Sequence, residues 1–204
     1  MSISLRKINN VLLVLVIVVN LYVLAVPFVP QVLFRLQQGQ GKQQQLEDLL
    51  TKPTASASNG TSNPTPTAPA VQGNHVIIPA MLLDQPIVED TNVYRALDKG
   101  VWRWPGGSTP DKGSNTVLVG HRFTYTKPKG VFYFMDKLHP GDSVGIVWKD
   151  KTYHYTVTST EVVPPTKTSI LNATKDPVLT MYTCTPLWNP KQRLVVHAAL
   201  ESIQ

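Results

Sequence analysis

Leu179-Thr180-Met181-Tyr182-Thr183-Cys184-Thr185-Pro186 contains the only cysteine of the 204-residue chain. It reads as a buried strand that stops at a turn. Beyond it, Pro186-Leu187-Trp188-Asn189-Pro190-Lys191-Gln192 is a turn composition: two prolines that cannot continue a ladder and an asparagine that tolerates unusual backbone angles. Arg193 then opens a second apolar run, Leu194-Val195-Val196. The last residue of one antiparallel strand and the first of the next lie at the same end of a hairpin, so Cys184 and Arg193 should be neighbours whatever the rest of the fold does. Earlier in the chain His121 follows a third apolar run, Thr116-Val117-Leu118-Val119-Gly120. If that strand neighbours the hairpin, a thiol, an imidazole and a guanidinium converge on one sheet edge, the arrangement a thiolate nucleophile needs.

Thr180-Met181-Tyr182-Thr183-Cys184 resembles the Thr-Leu-x-Thr-Cys motif of sortases, with Met in place of Leu, and Asn115 through Arg122 resembles the segment that carries the sortase histidine. Arg193 falls where the family's arginine does. The resemblance runs from Ile78-Pro79 to the end of the chain and keeps the order His, Cys, Arg. It implies an all-β fold, a closed eight-stranded β-barrel with short helices. It also implies a cysteine transpeptidase that cuts a C-terminal sorting signal of the Leu-Pro-x-Thr-Gly kind after its threonine, holds it as a thioester and passes it to an amine. The implied catalytic set is His121, Cys184 and Arg193. Thr183 and Trp188, beside the thiol and in the loop between Cys184 and Arg193, are the expected substrate contacts. The Cys-Thr-Pro-Leu-Trp-Asn-Pro continuation and the segment from Trp102-Arg103-Trp104-Pro105 to His121 resemble class D or E housekeeping types more than pilin-building ones. The expected partners are a protein bearing the sorting signal and an acceptor amine of a cell-wall precursor or pilin. A tethered peptidase that hydrolyses instead of transferring, and a pilin-polymerising enzyme, stand as alternatives.

The chemistry expected of these residues follows from their types. A free thiol is mostly protonated at neutral pH, and neighbouring cations favour its thiolate. Arg193 supplies a permanent cation for the tetrahedral oxyanion. His121, protonated when the thiol is ionised, can give a proton to the leaving amine and later take one from the acceptor. Each residue has a bland competitor: an inert buried cysteine, a surface histidine in a turn, an arginine that meets an acid such as Glu161. The constellation favours catalysis over three separate coincidences. A papain-like layout has the cysteine early and the histidine far downstream, the reverse of the order here. An L,D-transpeptidase would place an arginine right after Cys-x, where this chain has Thr185-Pro186.

The catalytic part is expected to sit on an anchor. Arg6 and Lys7 precede a nearly unbroken aliphatic run from Val11 to Val29, which at about 1.5 Å per residue nearly crosses a hydrocarbon core. Its length favours a retained anchor over a cleavable signal peptide, for which Val23-Leu24-Ala25 would be the cleavage site. The basic residues ahead of it favour a cytoplasmic N-terminus and an extracytoplasmic catalytic domain. The organisation expected is an N-terminus and anchor over 1–36, a flexible linker over 37–74 and a catalytic barrel over 75–204. Leu46-Glu47-Asp48-Leu49-Leu50 could extend a short helix within that linker, and the Pro, Thr, Ser, Ala and Asn composition after Lys52 cannot offset its ordering entropy.

The formal charge of +6 is split evenly, with five basic and two acidic residues in 1–74 and 14 and 11 in the remainder. A barrel so nearly balanced has no dominant basic face, which argues against a nucleic-acid partner. No metal is expected, because His75, His139, His154 and His197 make no ligand pair and there is no second cysteine. No cofactor is expected either, and the acids form no recognisable calcium loop, although calcium activation stays open. Elsewhere, short apolar runs with turn punctuation, Tyr153, Tyr155 and Val157 alternating with His154 and Thr156, indicate many short strands. A short helix capped by Thr91 and ended by Gly100 is expected among them.

Overall fold

The computed structural model describes residues 5–25, 28–39, 41–51, 73–124 and 129–204. Residues 52–72, the Pro/Thr/Ser-rich part of the expected linker, lie outside the described residues, as does Pro27 of the apolar run. The chain divides into two units, Met1–Gly41 and Lys42–Gln204. In the first, helix α1 (Leu5–Ala25) has 21 residues, and an 18-residue window of it has a mean hydropathy of 2.4 with none of it buried, so it is long and apolar enough to cross a membrane. A second helix, α2 (Val29–Gln38), follows it.

The second unit opens with helix α3 (Lys42–Thr51), at the place where Leu46 to Leu50 suggested one. It falls inside the stretch read as linker, yet Leu46 and Leu50 are buried against Ile77, with Leu49 and Val147 alongside. Residues four apart share one helix face, which is how two leucines and little else hold the helix. A Cβ at Gly145 would overlap a terminal methyl of Leu50, so this glycine leaves room for the leucine as it sits.

The strands are β1 (His75–Ile78), β2 (Leu83–Val88), β3 (Val101–Arg103), β4 (Asn115–Val119), β5 (Ser143–Trp148), β6 (Lys151–Val163), β7 (Val178–Thr185) and β8 (Gln192–Ile203). They close into a barrel in the order β1-β2-β3-β4-β7-β8-β6-β5, with β5 pairing back to β1, so the sheet has no free edge. The all-β, eight-stranded expectation is met. Two contacts are parallel, β2 with β3 and β4 with β7; the others are antiparallel. Ile77, Leu118, Phe132, Ile146, Leu179 and Met181 are almost wholly buried and centre the core.

Local details refine the sequence reading. Met81 falls in a 3₁₀ turn and Leu82 in the left-handed region, so β2 starts at Leu83 and runs through Pro86. Helix α4 (Val93–Lys99) ends before Gly100 as expected, but its cap is Asn92: the Asn92 side chain accepts from the Arg95 backbone N–H, while its own backbone is extended. The β5–β6 turn places Lys149 and Asp150 at φ 49° and 65°, the two positive angles of a type I′ hairpin. β6 extends to Val163, bending at two irregularities in its register with β8.

Candidate active site

Registry pairs two of the three expected residues and sets the strand that leads to the third beside them. Cys184 pairs directly with Arg193 across β7 and β8, as the hairpin argument required, so the two side chains share a face. On the other flank β4 runs parallel to β7 with Val119 opposite Tyr182. Gly120 prolongs that contact through its N–H to the Tyr182 carbonyl, 3.4 Å. Two residues past Val119 is His121, and two past Tyr182 is Cys184. A strand continued past Val119 with a period of two would bring His121 level with Cys184; His121 itself lies just beyond the end of β4.

The environment of this face is mixed. Cys184 is partly exposed and free, and Arg193 is partly exposed, its Nη1 donating to the Gln192 carbonyl at 3.0 Å. Burial pushes the Tyr182 phenol up, while the Arg193 charge pulls it down and Cys184 pushes it up again. The Tyr182 phenol thus feels both the guanidinium and the thiol. Glu161, the acid that might have claimed Arg193, instead binds Lys167 at 3.1 Å and His197 at 3.3 Å. His197 also meets Thr180 at 3.2 Å, a polar chain across β6, β8 and β7 that occupies this histidine structurally.

The two expected substrate contacts fall in different places. Trp188 is 61% exposed in the β7–β8 loop and packs edge-on against Phe123, ring centroids 4.6 Å apart. Phe123 lies two residues past His121, so this pair links the loop beyond the cysteine to the loop beyond the histidine. Thr183 is 1% exposed and points to the face opposite Cys184. Its hydroxyl donates to the Gly120 carbonyl at 2.8 Å, so its visible work is to hold the residue before His121.

His121 is further fixed by the segment from Gly130, which the sequence suggests as one or two helical turns ending near Lys137. Its carbonyl accepts from Phe132 N–H at 3.0 Å, and Gly130 N–H donates to the Arg122 carbonyl at 3.1 Å. Cβ atoms at Gly120 and Gly130 would overlap Val131 and Phe132 in the first case and the His121 carbonyl in the second. Two glycines are the only signal of this close approach in the sequence. A cleft of about 190 Å³ is lined by His121 with Gln85, Leu97, Asp98, Lys99 and Lys129, among others. Burial, and then the Lys42 charge, push the Lys129 ammonium down. Among the described residues no group of three or more His, Cys, Asp or Glu is placed to hold a metal ion.

Comparison with known proteins places this geometry. The family profile described as Sortase domain matches residues 76–201. Sortase SrtE1 of Streptomyces coelicolor is 31% identical over 158 residues, covering 68% of this chain and 43% of that protein. Sortase D of Bacillus subtilis is 29% identical over 124 residues, 59% of each. The matches therefore span about half the length of these relatives. The crystal structure of Sortase E1 from Streptomyces coelicolor with a tripeptide in its active site superposes with a TM-score of 0.57, at 26% identity, over 65% of this chain and 89% of that one.

Proposed function

The chain belongs to the sortase family, and from that premise we propose that it is a membrane-anchored cysteine transpeptidase of the class D/E-like housekeeping kind. Its substrate is a protein ending in a Leu-Pro-x-Thr-Gly-like signal, and its acceptor is an amine of the cell envelope. The observation that carries this reading is the direct pairing of Cys184 with Arg193 across β7 and β8, with the strand that leads into His121 running parallel beside β7.

The Cys184 thiolate attacks the threonine carbonyl carbon, and the C=O electron pair moves to oxygen, where the Arg193 guanidinium meets the negative charge. The tetrahedral species collapses with cleavage of the C–N bond, and His121 gives its proton to the departing glycine nitrogen. A thioester remains on Cys184. An incoming amine then attacks the same carbon, His121 takes its proton, and the C–S bond breaks to return the thiolate. The acceptor reaches the thioester through the cleft lined by His121, because the base must touch the attacking nitrogen. Trp188 and Phe123 flank the peptide.

The α1 helix holds the enzyme in the membrane with its N-terminus cytoplasmic, in keeping with Arg6 and Lys7 in its first turn, ahead of the apolar run from Val11, and the catalytic unit after it in sequence. Incubating the protein with a small set of Leu-x-x-Thr-Gly peptides and several amines, and weighing the products, tests the proposal. Amide products joined at threonine support it. Products bearing only a free threonine carboxylate with every amine would make the enzyme a hydrolase.

A further inference from the structure

Arg122, the neighbour of His121, carries a cation that the reaction above does not use. Only 8% of it is exposed, and three of its nitrogens have partners, one at the end of β7 and two in the turn over 133–136. Nη1 donates to the Thr185 hydroxyl at 2.8 Å, Nη2 meets Asp136 at 3.0 Å, and Nε donates to the Tyr133 carbonyl at 3.4 Å. Asp136 is itself half exposed, with Lys137 3.8 Å away.

The placement of these bonds is specific. Alternation along β7 puts Thr183 and Thr185 on the face opposite Cys184. Thr183 binds Gly120 and Thr185 binds Arg122. The residues flanking the thiol in sequence are therefore tied, one to one, to the residues flanking the imidazole. Backbone pairing between β4 and β7 ends at Val119 and Tyr182, and Gly120 adds the last backbone bond. Beyond that point side-chain contacts join the two strand ends, these two ties and the Phe123–Trp188 pair among them.

We propose that Arg122 is a positioning residue of the active site: by fastening Thr185 it sets the spacing between His121 and Cys184, with Asp136 and the Tyr133 carbonyl fixing the guanidinium from behind. A planar fork suits the task, because one lysine nitrogen cannot reach a hydroxyl, a carboxylate and a carbonyl in three directions. The consequence for transpeptidation rests on the function proposed above; the effect on the thiol does not.

The test uses the full chain in detergent, with Thr185→Val, Thr185→Ser and Arg122→Lys. Thr185→Val removes the acceptor at nearly constant volume and leaves Arg122 paired with Asp136. Three quantities are measured: the rate of Cys184 alkylation by iodoacetamide against pH, kcat and KM with a sorting-signal peptide, and the thermal midpoint. The groups facing the two residues are Tyr133, Asp136 and Lys137 around Arg122, and Tyr182, Arg193 and His121 around Cys184. Thr185→Val and Arg122→Lys should displace the alkylation profile and lower kcat by about tenfold or more, with KM changed much less. Thr185→Ser should recover most of that loss. Should Arg122→Lys fail to fold, Thr185→Val still decides. A wild-type alkylation profile together with wild-type kcat in Thr185→Val overturns the proposal, whatever happens to the melting point. A displaced profile in an enzyme that turns over no peptide, wild type included, supports the tie and rejects the transpeptidase.

Discussion

The Cα of Gly130 lies so close to the carbonyl of His121 that a Cβ on residue 130 would overlap its oxygen and carbon. Both atoms in the way belong to the backbone that carries the imidazole, so neither can swing aside as a side chain would. Gly130→Ala is therefore expected to move His121 relative to Cys184. A displacement near 1 Å costs about 100-fold in rate. Steady-state kinetics on a folded variant, its fold checked by circular dichroism, measures this; an unchanged kcat/KM would contradict the placement of His121.

Helix α3 should matter for stability more than for chemistry. A protein beginning at Lys42 should melt higher than one beginning at Asn74, because only the former keeps Leu46 and Leu50 on Ile77. Leu50→Ala in the longer form should cost roughly 2–3 kcal/mol, read from denaturant melts. The shorter form should remain active, since no proposed catalytic group precedes His121. Equal stability of the two forms would mean that the helix does not dock in solution.

His154 gives the barrel a pH dependence. Burial on β6 pushes its imidazole below the ordinary 6.5, partly opposed by a hydrogen bond with Gln204. The unfolded chain then binds a proton more readily than the folded one, so stability is full above about pH 6.5 and declines as pH falls through that value towards the lowered folded-state value. His154→Gln should flatten that part of the stability curve. A wild-type slope in the variant would assign the effect elsewhere.

The roles of His121 and Arg193 separate by substrate. A thioester in place of the Thr-Gly amide needs little protonation of its leaving group, so it should rescue acylation in His121→Ala far better than in Arg193→Ala. Arg193→Lys keeps the charge but loses the fork, and its kcat should drop by roughly two to three orders of magnitude with KM altered much less. Equal rescue in both alanine variants would show that the two roles are misassigned.

What the sequence disclosed and what it hid follow the range of the interactions. Cys184 and Arg193 were legible as neighbours because Pro186 and Pro190 force a turn between two apolar runs, and a hairpin is local. The height of His121 was not, because it depends on parallel pairing of β4 with β7 across the whole β5–β6 hairpin. The ties from Thr183 to Gly120 and from Thr185 to Arg122 join residues more than sixty positions apart, and no periodicity registers them. Helix α3 was legible as a short helix, but its docking sets Leu46 and Leu50 against Ile77, and Leu50 beside Gly145, residues far along the chain. Thr91 and Asn92 are both good capping residues, so only the backbone path could choose between them.

The central claim is that Cys184 carries the acyl group. Wild-type protein should be mixed with a Leu-Pro-x-Thr-Gly peptide without added amine, quenched in acid within seconds and weighed intact, then digested. An adduct equal to the peptide through its threonine, located on the fragment containing Cys184, discharged on adding an amine and absent from Cys184→Ala, is the predicted result. Peptide consumed by the wild type with no adduct on Cys184, or consumed as fast by Cys184→Ala, would contradict it.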